Sequence, residues 1–311
     1  YKRFGISFEK EYFESQYYMK GKETVHEGLE LGIFSKDKDG AIIADLEKKN
    51  IPNKVLLRSD GTSIYITQDM YLAAMRFRDY KFNKMIYVVA SEQRLHFQQL
   101  FAVLGMLKKP YAKDMYHLSY GLVHLPSGRM KSREGTVIDA DDIMDETSKL
   151  AAEEIKKRHE LTPTQCSERA EQISLAAIKF FMTKTDPVKD IVFNPEDSMS
   201  FEGETGPYVQ YTHARSCSIL RKAVNQKVIK EINFSLFSQP EEVEVLKLLH
   251  SFPEIVTRAA ETYKPHHLAN YLITLSQNFN EFYHNCQVLS DDRDQMKARL
   301  LLVDCTRQVL E

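Results

Sequence analysis

The chain has 311 residues, of which 43% are apolar and 28% charged, proportions that exclude long disorder and fibrous repeats and fit a soluble globular protein. At roughly 100–200 residues per domain, the length predicts two domains with room for a fragment of a third. Lys plus Arg number 42 against 44 Asp plus Glu, for a formal charge of −2, which excludes a uniformly basic coat for nucleic acid but leaves local basic patches open. The four cysteines, Cys166, Cys217, Cys286 and Cys305, are widely spaced and form no C-x-x-C pair. That argues against a structural zinc site and a disulfide framework, and predicts a reducing, cytoplasmic setting. The longest apolar runs, such as Phe101 to Leu107, fall far short of the roughly 20 residues that span a bilayer, so no membrane partner is expected. No signal pattern is present. The chain starts at Tyr1 within what reads as a packed region, which predicts a fragment whose N-terminal part is missing.

In chain order, Phe4, Ile6 and Phe8 alternate with polar neighbours and predict a short strand. Val25 to Phe34 reads as a helix and the turn after it, and Ala41 to Leu46 as another strand. Val55 to Arg58 and Ser63 to Thr67 predict two strands flanking the turn Ser59-Asp60-Gly61-Thr62, with a helix from Asp69 to about Arg78. Met85 to Ala90 is apolar without alternation, which predicts a central parallel strand covered on both faces. Ser91 is placed to cap the next helix, which runs to about Leu107. Tyr116 to His124 predicts a further strand. Beyond 145 the chain reads as helices over 145–158, 166–184, 207–230, 241–262, 265–289 and 293–310, with prolines, Pro253 among them, at the breaks. The expected architecture is α/β, a partial doubly wound (Rossmann-like) parallel sheet, followed by an all-α helical bundle.

Three constellations carry candidate chemistry. Ligands of an open parallel sheet bind beyond the carboxyl ends of its strands. Asp69 is expected where a strand yields to a helix, and Gln93 just past the next strand, so both should face one crevice. An N-cap role for Asp69 and strand packing for Tyr65 are the plainer readings, and both stay open. The loop Gly128 to Gly135 brackets three cations with two glycines, which suits closing over a polyphosphate or a merely solvated turn. Third, Gly206-Pro207 starts a helix on which Tyr208, Tyr211 and Arg215 fall at spacings of three and four. Aromatics interleaved with cations suit unstacked RNA bases and phosphates, and packing against a neighbouring domain is the alternative. Phe279, Phe282 and Tyr283 read as bundle core, with Tyr283 able to expose its hydroxyl. Neither H-E-x-x-H nor the P-loop signature is present.

Taken together, Arg58-Ser59-Asp60-Gly61-Thr62, Tyr65-x-Thr67-x-Asp69, Ile86-Tyr87-Val88-x-Ala90-x-x-Gln93-x-x-His96, Gly121-Leu122-Val123, Arg129-Met130-Lys131-Ser132-Arg133-Glu134-Gly135 and Gly206-Pro207-Tyr208-x-Gln210-Tyr211 run in one order along the chain. That series resembles the arginyl-tRNA synthetases, a class I aminoacyl-tRNA synthetase family. The resemblance implies an arginine–tRNA ligase that uses ATP with Mg²⁺ as a substrate complex and holds no protein-bound metal. It implies residues 1–54 as the remnant of an insertion in the catalytic domain, 55–145 as the second half of the nucleotide-binding fold, 146–205 as a helical connector and 206–311 as an anticodon-binding domain. Asp69 would bind the substrate guanidinium, with Tyr65 and Gln93 completing the pocket. A planar guanidinium wants a carboxylate in bidentate geometry, and a lysine substrate would leave part of such a site unpaired. Gly121, Val123, Met130 and His96 would serve ATP. Arg129, Lys131, Ser132 and Arg133 would form the family's KMSKS-type catalytic loop, with Ser132 where the class has its second lysine, so that Lys131 and Arg133 both remain candidates for the phosphates. Tyr208, Gln210, Tyr211, Arg215 and Tyr283 would contact arginine tRNA. A monomer is expected. The family's HIGH motif is absent from the sequence, so the chain by itself is expected not to form arginyl-adenylate. The alternative is a non-catalytic tRNA-binding module or synthetase paralogue.

Overall fold

The computed structural model describes residues 1–17, 19–126, 139–158, 160–223 and 233–311. The candidate loop residues Arg129, Met130, Lys131, Ser132 and Arg133 lie outside them, as does the 224–230 part of the helix expected over 207–230. The chain forms two compact units, Tyr1–Gly121 and Leu122–Glu311.

The first unit opens with an arm that is not a strand. The Tyr1 and Phe8 rings meet edge to face at 5.0 Å, because their apolar surface finds each other and not a sheet partner. The arm is tied down further on by Asp79, which accepts from Lys10 and, at 2.9 Å, from the Tyr12 hydroxyl. After helix α1 (Lys22–Glu30), strands β1 (Ser35–Lys36), β2 (Ile42–Ala44) and β3 (Lys54–Leu57) form a small antiparallel sheet.

The expected strand over Ser63–Thr67 does not form. Ser63 makes one isolated bridge to Leu57, and helix α2 (Tyr65–Tyr80) starts four residues before Asp69. Thr67 explains this. At the third helical position its hydroxyl accepts from the Ile64 N–H at 3.3 Å and donates to the Leu56 carbonyl, so it serves the helix start and the end of β3 together. The first turn of α2 also meets Gly21, where a Cβ would come within 2.0 Å of the Thr67 carbonyl oxygen and no larger residue fits.

Strand β4 (Met85–Ala90) then pairs in parallel with β5 (Met115–Tyr120), in register from Met85 opposite Met115 to Ala90 opposite Tyr120. Helix α3 (Arg94–Met106) makes the crossover. Ser91 does not cap it, since residues 91–93 form a 3-10 turn and Gln93 takes the N-cap position. The expected cover on both faces of β4 is absent among the described residues. Tyr87 is buried against Phe97 at 4.8 Å, but Val88 is 62% exposed and Ile86 shares its face. The unit's core gathers Leu56, Ile66, Met70, Leu100 and Leu104 between α2, α3 and the strands.

The second unit is mostly helical. Strand β6 (Val123–His124) ends the segment expected as one strand from 116, because the chain leaves β5 at Tyr120. Helices α4 (Ala140–Arg158) and α5 (Pro163–Thr183) follow, the second opened by Thr162, whose hydroxyl accepts from the Gln165 N–H. Strand β7 (Ile191–Val192) pairs in parallel with β6, and a short helix α6 (Pro195–Ser198) precedes α7 (Gly206–Lys222). At Gly206 a Cβ would lie 2.5 Å from the Ala176 carbonyl oxygen, so α5 and α7 approach closely there. Helices α8 (Pro240–Thr262), α9 (His266–Asn285) and α10 (Arg293–Leu310) complete a bundle around Leu275, Phe279, Phe282 and Leu300. Pro253, expected at a break, lies inside α8.

Lys264, in the α8–α9 turn, donates to Asp186 at 2.6 Å and holds its carboxyl below the usual range. A carboxyl lowered in the folded state stabilises above its unfolded value of about 3.9, and that contribution is lost as pH falls through the folded value. Asp186→Asn should therefore flatten the acid limb of the stability curve below about pH 4, read as urea midpoints across this range. An unchanged acid limb would show that the pair does not report on folding.

Candidate functional site

Two clusters hold the sequence's candidates, one in each unit. In the first, Asp69 sits in the second turn of α2, away from the helix start, which removes the N-cap reading. Helices α2 and α3 pack so that Asp69 Oδ2 accepts from His96 Nε2 at 2.7 Å. The aspartate side chain is 29% exposed and the imidazole 16%. One hydrogen bond uses one of about four acceptor positions on a carboxylate, so Asp69 keeps capacity for a forked donor. Gln93 is exposed at the N-cap of α3, three residues before His96. Tyr65 is the first residue of α2 and is 76% exposed, so it is not packed as a strand residue. Phe97, which touches the His96 ring, packs on the Tyr87 ring at 4.8 Å, and the Arg76 guanidinium lies 5.7 Å from the Tyr87 centroid. The Tyr87 hydroxyl is buried without a hydrogen-bond partner among the described residues. Burial, reinforced by the charge of Asp69, pushes its ionisation far upward, so the phenol stays neutral. Gly121 is buried at the end of the first unit and Val123 half-buried in the second.

The second cluster is built on α7 and α9. Asn280 organises it. Its Oδ1 accepts from Arg215 Nη1, and its Nδ2 donates to the Tyr208 hydroxyl at 3.0 Å and to Thr212 Oγ1 at 3.1 Å. The Arg215 guanidinium also donates to the Tyr211 hydroxyl at 3.0 Å and lies 4.8 Å and 5.1 Å from the Tyr211 and Tyr283 ring centroids. Tyr208, Tyr211, Arg215 and Tyr283 thus converge. Gln210 is exposed and contributes nothing to this network. Two cavities flank it, of about 870 and 610 Å³, sharing Tyr211 and Arg215. A cation held between two half-exposed rings presents flat faces for stacking and charge for a phosphate. Sequence reading missed the role of Asn280. Its signal is a polar residue one position after the buried Phe279, on a face that otherwise reads as core.

Among the described residues no group of three or more His, Cys, Asp or Glu is placed to hold a metal ion, and no helix is long and apolar enough to cross a membrane. The deciding observation is the comparison with known families. Residues 1–195 match the catalytic domain of the class I tRNA synthetases for arginine, and residues 209–311 the DALR anticodon binding domain.

The chain belongs to the class I arginyl-tRNA synthetases.

An arginine–tRNA ligase of Treponema pallidum is 47% identical over the whole chain, and one of Parabacteroides distasonis 44% identical over 97% of it. Among solved structures, arginyl-tRNA synthetase of Thermus thermophilus superposes with a TM-score of 0.79 at 28% identity over 94% of the chain. That of Plasmodium falciparum gives 0.81 at 25% over 100%. A methionyl-tRNA synthetase of Mycobacterium tuberculosis, at 12% identity and a TM-score of 0.65, shares the fold. The chain spans about half the length of the curated relatives it matches, 54% of the Treponema pallidum protein, and 56% of the Thermus thermophilus chain. The catalytic-domain match runs past the boundary at Gly121 to residue 195, so in this synthetase family β6, β7, α4 and α5 go with the catalytic domain and α7 to α10 with anticodon binding.

Proposed function

We propose that this chain is the part of an arginine–tRNA ligase that selects L-arginine and holds its tRNA. The observation that carries the proposal is the Asp69 carboxylate, half-exposed at the junction of α2 and α3 with acceptor capacity left over after His96. Tyr65, the first residue of α2, and Gln93, at the N-cap of α3, are both exposed and complete the arginine pocket in this reading. A guanidinium fork meets a carboxylate with two parallel hydrogen bonds, and an ammonium cannot.

In the complete reaction the arginine carboxylate attacks the α-phosphorus of ATP, pyrophosphate leaves, and the terminal adenosine hydroxyl of the tRNA then displaces AMP. Mg²⁺ arrives with ATP as substrate. Gly121 and Val123 flank the adenine, Met130 joins them, and Arg129, Lys131, Ser132 and Arg133 supply the donors and cations that meet the phosphates. Tyr208, Tyr211, Arg215 and Tyr283 form the tRNA contact on the second unit, with Gln210 at its edge. Segments 1–54, 55–145, 146–205 and 206–311 then act as insertion remnant, second half of the nucleotide fold, connector and anticodon domain. The protein works in the cytoplasm as a monomer. The sequence carries no HIGH motif, which supports a chain that does not activate arginine by itself.

Titration calorimetry of this chain with arginine and with lysine tests the pocket. Arginine should bind with at least tenfold preference, because a lysine leaves a donor–acceptor position unpaired. Equal affinity for the two would remove the basis for the arginine assignment. A non-catalytic tRNA-binding module is the second reading, supported by the Arg215 cluster alone. Pyrophosphate exchange by the full-length gene product separates the two.

A further inference from the structure

Asp69 has a partner, and the choice of partner is informative. The imidazole of His96 lies at the third residue of α3 and is fixed on more than one side. Its ring stands edge-on to Phe97 at 5.3 Å and 84°, and Phe97 packs in turn on Tyr87 at 4.8 Å and His117 at 4.4 Å. The position of His117 is set by a 2.9 Å hydrogen bond from its Nε2 to the Val89 carbonyl. His96 is therefore held by a packed aromatic group, and its Nε2–H points at Asp69 Oδ2. An unrestrained aspartate rotates about two bonds and offers its oxygens in many directions. One fixed donor on Oδ2 selects a single orientation and leaves Oδ1, together with the second lone pair of Oδ2, as acceptors for a forked donor.

Resting on the arginine-pocket reading above, we propose that His96 is a positioning residue for arginine: it orients the Asp69 carboxylate for the guanidinium fork and does not serve ATP. The family resemblance alone groups His96 with ATP. The 2.7 Å bond to Asp69 argues for the other substrate.

The test is aminoacylation by the full-length enzyme with arginine and ATP varied separately. His96→Leu should raise the arginine KM about 10- to 100-fold, the range of a hydrogen bond to a charged group, and leave the ATP KM within about threefold. His96→Gln can place a side-chain N–H near the former Nε2 and should restore the arginine KM to within about threefold of the parent. A rise in the ATP KM alone would assign His96 to the nucleotide and overturn the proposal. Equal rises for both substrates, or no recovery in His96→Gln, would reduce His96 to a scaffold residue and overturn it too. Asp69→Ala run in parallel keeps the two readings apart. If it raises the arginine KM and His96→Leu does not, only the positioning role falls. If Asp69→Ala leaves the arginine KM unchanged, the pocket itself is wrong.

Discussion

Asp69→Ala in the full-length enzyme is expected to lower kcat/KM for arginine by about 30- to 4000-fold, equivalent to roughly 2–5 kcal/mol for truncating one partner of a hydrogen-bonded charge pair. The side chain is 29% exposed, which places the expectation toward the lower half of that range, since water screens part of the attraction. The loss for ATP should stay within about threefold, because in the proposed pocket the carboxylate meets only the guanidinium. Asp69→Asn separates charge from shape. An amide keeps the volume and one acceptor oxygen, but turns an NH₂ donor toward either His96 or the guanidinium, so the fork cannot close. It should recover little of the lost arginine use. Steady-state aminoacylation with each substrate varied in turn gives both ratios. Comparable losses for arginine and ATP would mean that Asp69 supports the site as a whole and does not read the amino acid.

The largest effect on stability should come from Glu242→Ala in the second unit. Glu242 is 0% exposed and fully committed. Its Oε2 accepts from the Ser238 and Gln239 N–H groups, both at 3.0 Å, at the start of α8. Its Oε1 accepts from Arg299 Nε at 2.7 Å and from Gln295 Nε2 at 3.0 Å, both on α10. Arg299 in turn donates to the Gln287 carbonyl at 2.9 Å. One carboxylate therefore closes the N-terminus of α8, secures α10 and neutralises a guanidinium that is 13% exposed. Removing it strands a nearly buried cation and two backbone donors, a change that costs about 3–5 kcal/mol. For a unit of this size that lowers Tm by roughly 6–20 °C. Replacing the pair with Glu242→Leu and Arg299→Met should be milder than Glu242→Ala alone, since it leaves no unpaired charge. Thermal unfolding by circular dichroism measures both. A single variant that melts within about 2 °C of the parent would contradict this account of the bundle.

Much of this architecture is legible in the residues because period and punctuation agree. The last helix, expected over 293–310, forms as Arg293–Leu310, with Asp292 accepting from the Asp294 and Gln295 N–H groups at its start. Helix α5 starts at Pro163, three residues before the expected 166, where Thr162 and Pro163 already spell a cap. The failures have physical reasons. Ile64 and Ile66 alternate with polar residues over too short a span to separate a strand from the first turn of a helix, and the Thr67 hydroxyl decides for helix. The all-apolar Met85–Ala90 shows what the strand requires, but not whether a neighbour is present to meet it. At the candidate sites, the spacing of Tyr208, Tyr211 and Arg215 is local and could be read. The pairing of Asp69 with His96 spans 27 residues and that of Arg215 with Asn280 spans 65, so both depend on how helices pack.

The exposed side of β4 and β5 has a consequence for the life of this polypeptide. Ile86, Val88, Tyr116 and Tyr120 lie together on one face of a two-stranded parallel ribbon. Bare ribbon edges and a greasy face are what misfolded chains use to zip onto one another. At high concentration such a face favours the association of one copy of the polypeptide with another.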